Sequence, residues 1–270
     1  MTLKFTLTSA ALFTAVALAL TGCSAATEKS AGTGTDTSLS AVQDAGVLTV
    51  GTEGTYRPFS FHEDGSGALT GFDVEVATAV ATELGVDVAF EETQWDGIFT
   101  GLQSGRFDTI ANQVSITPER LDAYTFSAPY TYSTGVIVVP SDNTSITSFE
   151  NLAGKTTAQS RTSNWYTLAT ESGATVEAVE GWAQSVALVE QGRVDATVND
   201  KLTFLDYRKQ TGAPGIKVAA ETEDRSESAF AFSQGGTALA EAVDAALATL
   251  SANGTLAGIS DTYFGADVTK

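Results

Sequence analysis

Two stretches of the chain follow the same plan. Residues 95–112 read WDGIFTGLQSGRFDTIAN and residues 182–199 read WAQSVALVEQGRVDATVN, with Trp, Gly, Arg, Asp and Asn recurring in register. Each copy predicts a helix, a Gly-Arg turn and a strand. Such units also recur by chance in any α/β chain, but the matching identities indicate two lobes built on one plan. Two similar lobes in one chain usually face each other across a ligand cleft.

The N-terminus has the pattern of a processing segment. Lys4 precedes an apolar run over residues 10–20, and residues 20–23 read LTGC, the form of a bacterial lipobox. This predicts a lipoprotein signal peptide over residues 1–22 and lipid attachment at Cys23. The alternative is an ordinary exported protein with a stray buried cysteine. Cys23 is the only cysteine in the sequence, so no disulfide is expected.

The residues after Cys23 offer little apolar surface. From Ser24 to about Leu39 the chain is mostly Ser, Thr, Gly and Ala, which favours a flexible tether, placed here at residues 23–44. Lipid and tether together predict a body held on the outer face of the cell membrane, extracellular or periplasmic. The formal net charge of −19 would repel nucleic acid and anionic membrane surfaces.

The body alternates short apolar runs with helical patterns. A strand at Val47–Gly51, a helix from Phe72 to Leu84 and a strand at Val86–Phe90 precede the first repeat. This order predicts parallel sheets covered by helices, an α/β fold. A long helix is predicted at Thr237–Ala252, with a stop at Gly254.

The number of elements predicts how the chain divides. The first lobe has fewer elements than the second unless the C-terminal 40 residues return to it. We therefore expect lobe 1 at residues 45–133 and 231–270, and lobe 2 at residues 134–230. The chain would cross between the lobes near Thr131–Gly135 and again near Ser228–Phe232. Two crossing strands form a hinge, which allows lobes to close on a ligand.

The first repeat leads directly into residues 113–120, QVSITPER. Thr117 is a good N-cap before a proline, so a helix is expected to begin here with free backbone N–H groups. These groups, the neighbouring hydroxyls and Arg120 would suit a carboxylate. The alternative is a capped surface helix in which Arg120 pairs with an acid of the same helix.

The second repeat leads directly into Asp200, at the C-terminal end of its strand. Ligands of open α/β sheets bind at that end, and a carboxylate there would suit an ammonium group. Asp200 is alternatively the N-cap of the next helix, which is compatible with binding. A cation after one repeat and an acid after the other would hold a zwitterion. Tyr56 and Trp95 are candidates to flank its side chain, although aromatic pairs are more often core.

Several motifs together resemble one family. It is the family of polar-amino-acid solute-binding proteins of ABC importers, and the likeness runs from about Val47 to the C-terminus. The ending FGADVTK and the residues NQV before the Ser-Ile-Thr segment are most similar to cystine-binding members. The motifs are EGTYRPFSF at 53–61, LTGFDVE at 69–75, WDG at 95–97, NQVSITPER at 112–120, FSAPY at 126–130 and YFGAD at 263–267.

The resemblance implies a two-lobe fold of the periplasmic-binding-protein type II class and a set of ligand contacts. By this likeness the ligand α-carboxylate is held by Arg120, the backbone near Gln113, Ser115 and Thr162. Asp200 takes the α-ammonium. The side-chain pocket is lined by two aromatic residues, Tyr56 and Trp95, and Glu53 reaches the distal part of the ligand.

The sequence also departs from the family pattern. The loop at 158–163, AQSRTS, lacks the glycine often found before the threonine and carries Arg161, which would alter selectivity or simply face solvent. The lone histidine, His62, is expected on the surface.

The function predicted is that of a tethered, monomeric receptor that closes on a zwitterionic amino acid and delivers it to an ABC permease. Cystine leads, with glutamine, a basic residue or another polar amino acid as alternatives. A sensory receptor would have the same cleft. A dehydratase-like enzyme would need a positioned acid or base, for which only Glu53 and Asp200 are candidates. No cofactor, metal site or nucleic-acid partner is predicted.

Overall fold

The computed structural model describes residues 35–270, so the predicted signal peptide, Cys23 and most of the predicted tether lie outside the described residues. The predicted end of the tether at residue 44 is wrong, because a helix, α1, spans Ser38–Ala45. Val42 on α1 is buried, and Leu39 packs against the same core. Two apolar side chains one turn apart therefore fix a segment that composition alone marks as flexible.

The elements alternate as the sequence predicts. The first part of the chain contains β1 (Val47–Thr52), β2 (Thr55–Tyr56), β3 (Ser60–His62), β4 (Leu69–Thr70), α2 (Phe72–Leu84), β5 (Asp87–Glu92), α3 (Trp95–Gln103), β6 (Thr109–Ser115), α4 (Pro118–Ala123) and β7 (Tyr124–Phe126). The remainder contains β8 (Thr131–Pro140), β9 (Thr156–Gln159), α5 (Asn164–Glu171), β10 (Thr175–Ala178), α6 (Gly181–Glu190), β11 (Thr197–Asp200), α7 (Lys201–Thr211), β12 (Ile216–Ser233), α8 (Thr237–Ala252) and α9 (Thr255–Phe264).

One sheet runs through both halves of the body, in the order β11-β8-β12-β6-β1-β5, with β7 paired to β12. Strands β5, β1 and β6 are parallel, whereas β12 is antiparallel to both β6 and β8. Strands β9 and β10 form a parallel pair, and a single parallel bridge from Thr157 to Ala196 links β9 to the chain just before β11. We call the half built on β1, β5 and β6 lobe 1, and the half built on β9, β10 and β11 lobe 2.

Strands β8 and β12 join the two lobes. The pairs Thr131–Ser228 and Thr134–Arg225 lie at the crossing, and the pairing continues to Ile216 and Pro140 in lobe 2. Both predicted lobe boundaries, at residues 133/134 and 230/231, fall inside these long strands. Because the strands pair along their length, the lobes share one sheet.

Each lobe has its own apolar packing on both faces of the sheet. In lobe 1, α2 and α8 bury Val80 and Val243 against Leu48 and Val50 of β1, and α3 covers the other face. In lobe 2, β8 alternates between two cores. One contains Val136 and Val138 with α6 and α7, and the other contains Ile137 and Val139 with α5. This period of two is the pattern of a strand buried on both faces.

The two repeats make equivalent turns. The Asp108 carboxylate accepts a hydrogen bond from the Thr49 N–H at 2.8 Å, and the Asp195 carboxylate accepts one from the Thr156 N–H at 2.8 Å. In both turns the backbone N–H of the same aspartate donates to the carbonyl oxygen of that threonine. The recurring aspartate therefore ties each repeat to the first strand of its own lobe. No helix among residues 35–270 has the length and apolar character needed to cross a membrane.

We predict that Asp108→Ala lowers the free energy of unfolding by about 1–2 kcal/mol, because the half-buried Thr49 N–H loses a charged acceptor. Asp195→Ala should lower it less, because the Thr156 N–H that it frees is exposed. Urea denaturation measures this change. Asp87→Ala is the matched control, since Asp87 is exposed at a strand end and accepts no such bond. Equal stabilities of all three variants would contradict the structural role given to the repeated aspartate.

Candidate functional site

The repeats meet at one cavity. Trp95 and Trp182 begin α3 and α6, and Asn112 and Asn199 lie on β6 and β11, so the same two positions of each repeat face the cavity from opposite lobes. The other lining residues are Glu53, Tyr56, Gln113, Gln159, Ser160, Ser163, Asn164, Trp165, Gly181, Ser185 and Val198.

The lobes are in contact around this cavity. The Tyr56 hydroxyl donates to Asn199 Oδ1 at 3.0 Å and accepts from Thr203 Oγ1 at 3.1 Å. Across the other edge, the Asp96 carboxylate accepts from the backbone N–H and the hydroxyl of Thr162, at 3.0 and 2.9 Å. The structure is therefore a closed arrangement of the two lobes.

Arg120 is buried beside the cavity, and the alternative of a surface ion pair on its own helix is wrong. Its Nη1 donates to the Ser115 carbonyl at 2.8 Å, and its Nη2 donates across the cleft to the Thr162 carbonyl at 3.3 Å. The guanidinium carbon lies 5.3 and 5.2 Å from the ring centroids of Trp95 and Phe99. The Thr117 side chain accepts from the Arg120 N–H, which confirms the predicted N-cap.

The charge on Arg120 has no acidic partner within 4 Å among the residues that the structure describes. Burial lowers its pKa to about 10, so it stays charged at neutral pH. A buried charge is costly unless it is paired. Arg120 and Thr162 line a groove that shares Ser163 and Asn164 with the cavity, where an anionic group would satisfy the guanidinium.

Asp200 is buried in lobe 2 next to the cavity-lining Asn199. Its carboxylate accepts from the Leu202 N–H at 2.7 Å, which confirms the N-cap interpretation, and from the Ser133 hydroxyl at 2.8 Å. Burial raises the pKa of Asp200 to about 6. No basic group neutralises it within 4 Å in the described part of the chain. A cationic group of a ligand would restore the carboxylate to its ordinary acidity.

Gln113 is held in an unusual conformation by a buried carboxylate. Its φ is +51°, in the left-handed region that a non-glycine residue rarely adopts. Asp73, fully buried on α2, accepts from both the backbone N–H and the Nε2 of Gln113, each at 2.7 Å. The side-chain oxygen Oε1 is then left without a partner. Asp73 therefore fixes which end of the Gln113 amide is available as an acceptor.

Glu53 is the one acid among the residues that line the cavity. Burial raises its pKa to about 7, and the negative charges of Glu180 and Asp96 add to this, against a hydrogen bond from Asn112 Nδ2 at 2.6 Å. The carboxyl group is thus close to its titration point at neutral pH. The Glu53 carboxyl group would bind a hydrogen-bond donor or a cationic group of the ligand.

The structure thus brings Glu53, Tyr56, Trp95 and Gln113 to the cavity wall. Of the other predicted contacts, Arg120 and Thr162 line the adjoining groove, whereas Ser115 and Asp200 are buried and line neither the cavity nor the groove. Sequence reasoning missed the second tryptophan and the asparagines as cavity residues, although the repeat itself marked them. Gln159 and Trp165 carried no sequence signal.

Neither Arg161, singled out as a departure from the family pattern, nor the lone His62 lines the cavity. His62 bonds Glu92 and the Gly67 carbonyl at the surface, as expected. Arg161 is exposed.

Two lobes that close over a cavity, with an unpaired buried cation and unpaired buried acids around it, define a small-molecule receptor. The chain belongs to the bacterial extracellular solute-binding proteins, family 3, whose model matches residues 48–266. This confirms the family predicted from the motifs.

Two relatives cover nearly the same part of the chain. A "Probable amino-acid ABC transporter-binding protein" of Haemophilus influenzae is 52% identical over 85% of this chain and 89% of its own length. The L-cystine-binding protein TcyA of Bacillus subtilis is 50% identical over 85% of each chain.

Two solved structures share the fold. An ancestral arginine-binding protein bound to arginine is 36% identical, with a TM-score of 0.76 over 82% of this chain and 99% of its own. The L-cystine solute receptor of Neisseria gonorrhoeae, unliganded and open, is 42% identical, with a TM-score of 0.58 over 86% of this chain and 98% of its own. The more similar sequence gives the poorer superposition, as a difference in lobe closure would produce.

The raised pKa values of three acids predict a pH dependence of stability. For Glu53 and Asp73 the folded pKa is about 7 and for Asp200 about 6, all above their unfolded values. The folded state therefore binds more protons than the unfolded state at intermediate pH. We predict that the unfolding midpoint of the ligand-free protein rises as pH falls from 8 to about 5.

Measurement of thermal unfolding across this pH range tests the prediction. The Asp200→Asn variant removes one of the three titrating groups and should flatten the slope, whereas Asp87→Asn, at an exposed position, should leave it unchanged. A slope unaffected by Asp200→Asn would show that its carboxyl group does not titrate in this window.

Proposed function

We propose that this protein is an extracellular receptor that captures a zwitterionic amino acid between its lobes and delivers it to an ABC permease. The observation that carries the proposal is Arg120, buried and charged, bonded to carbonyls of both lobes but to no acid in the described chain. The ligand α-carboxylate binds the Arg120 guanidinium, together with Ser115 and Thr162. The α-ammonium donates to the Asp200 carboxylate and to the unpartnered Oε1 of Gln113.

Closure follows from the same contacts. Arg120 belongs to lobe 1 and Asp200 to lobe 2, so a ligand that binds both gains its full binding energy only in the closed state. A shift from mostly open to mostly closed requires a preference for the closed state of about 10⁴-fold. The free energy of two charge-assisted contacts, one from each lobe, is comparable to the free energy that this preference requires.

L-cystine is the ligand we propose first. Its two amino-acid heads would place one ammonium at Asp200 and the other near Glu53, with Tyr56 and Trp95 beside the link between them. The relative TcyA is named an L-cystine-binding protein, and the gonococcal receptor is described as an L-cystine solute receptor. Glutamine and basic amino acids are the alternatives, supported by the arginine-bound neighbour. The role is binding and release rather than catalysis.

A thermal-shift screen over the common amino acids and cystine tests the ligand. A ligand that binds only the folded state raises the unfolding midpoint in proportion to the logarithm of its concentration over Kd. The largest shift is expected with L-cystine. No shift with any amino acid would overturn the proposed function, and a larger shift with arginine or glutamine would replace cystine as the ligand.

We predict that Arg120→Ala weakens amino-acid binding by about 100-fold or more, because the ligand carboxylate loses a buried, charge-assisted partner. Titration calorimetry measures the loss, and circular dichroism checks that the variant folds. Arg106→Ala is the control, since Arg106 is half-exposed on the same lobe and pairs with Glu91 at the surface. Unchanged affinity in Arg120→Ala would remove Arg120 from the site.

We also propose that the mature chain begins at a lipidated Cys23 and is anchored to the outer face of the membrane. The lipobox at residues 20–23 and the single cysteine support this assignment. We predict that Cys23→Ala releases the protein from the membrane fraction of the expressing cell, whereas Ser24→Ala leaves it there. Fractionation followed by immunoblotting measures the distribution, and membrane retention of Cys23→Ala would contradict the anchor.

A further inference from the structure

All three tryptophans of the chain line the same cavity. Trp95 and Trp182 are explained by the repeat, since each begins a helix at the mouth of its lobe. Trp165 lies outside the repeated segments. It lies in the first turn of α5, behind the Ser163 N-cap, and packs partly against the core of Ile137 and Val198.

Trp165 meets the hinge at Gly135. A Cβ atom added at Gly135 would clash with Cζ3 of the indole ring and lie 3.1 Å from its Cη2. Real Cβ atoms do not approach ring atoms so closely. Gly135 is on β8 opposite Asp200 of β11, and its N–H donates to Thr222 Oγ1 of β12 at 3.0 Å. The indole ring therefore rests on bare backbone where the chain crosses between lobes.

The backbone of Gly135 does not itself require glycine, because its φ lies outside the left-handed region. An added Cβ would meet the indole ring first, and it would also lie 3.0 Å from the methyl carbon Cγ2 of Thr222. One side of the indole is occupied by the lobe 2 core and another by the hinge backbone, and the cavity is the open side. A side chain at position 135 would therefore move the ring into the cavity.

We propose that Gly135 and Trp165 together set the length of amino acid that the closed lobes accept. With glycine at position 135, the indole ring packs against the hinge backbone. The cavity space that the ring leaves open is available to the ligand side chain. The pair is a specificity determinant, and its glycine lies next to Asp200 in the β8–β11 ladder. The inference rests on the proposed function, since it concerns the ligand of that same cavity.

The test compares a long and a short ligand by titration calorimetry, with L-cystine and S-methyl-L-cysteine, which carries one amino-acid head, as probes. Gly135→Ala is expected to weaken L-cystine binding about tenfold or more and the shorter probe much less. In a Trp165→Ala background the same change should weaken L-cystine binding much less than in the wild type, because only the Thr222 methyl contact remains. Gly258→Ala is the matched control, since an added Cβ there meets no atom within 4 Å.

Equal losses from Gly135→Ala with and without Trp165 would overturn the proposal, as would an equal loss for both probes. A wild type that binds no amino acid would instead refute the proposed function. A second readout then still tests the ring position. In a Trp95→Phe, Trp182→Phe protein, Trp165 is the only fluorophore of its kind, and Gly135→Ala should shift its emission maximum without any ligand. An unchanged spectrum would contradict the displacement of the ring.

Discussion

The long antiparallel pairing of β8 with β12 is the constraint on which the rest of the structure depends. These two strands carry the chain from lobe 1 to lobe 2 and back, and pair from Thr131 and Ser228 to Pro140 and Ile216. Their pairing joins the lobes at the crossing, and in this closed arrangement Asn112 of β6 and Asn199 of β11 line one cavity.

Buried charges on the two lobes favour the binding of a ligand in the closed state. Arg120 is a buried cation on one lobe, and Asp200 is a buried acid on the other, and neither is neutralised by the described chain. Each carries a desolvation penalty that the protein's own hydrogen bonds only partly offset. Asp73 adds a third buried ionisable group, which orients Gln113. Unpaired charges beside a closed cavity favour the binding of a partner of complementary charge.

The two repeats have the same construction and different consequences. Asp108 and Asp195 make the same bond to the first strand of their lobes, and Trp95 and Trp182 take the same place at the cavity. The two copies differ in the segment that comes after the strand. After β6 the chain turns into the short helix that carries Arg120, and after β11 it turns directly into α7 behind Asp200. The residues shared by the two repeats form the cleft. The residues that follow each repeat place a positive charge on one lobe and a negative charge on the other.

The sequence by itself determined the elements, because helix and strand periods and cap residues are local signals. The helices at Phe72–Leu84 and Thr237–Ala252, the Thr117 cap and the family were all predictable. The composition of Ser38–Ala45 predicted a flexible tether, but packing against a core formed by distant residues stabilises a helix there. Only the tertiary structure decided that Arg120 is buried without an acid, that Asp73 orients Gln113, and that Trp165 rests on Gly135. Those contacts join residues far apart in the chain, and no local pattern records which distant side chain will fill a given space.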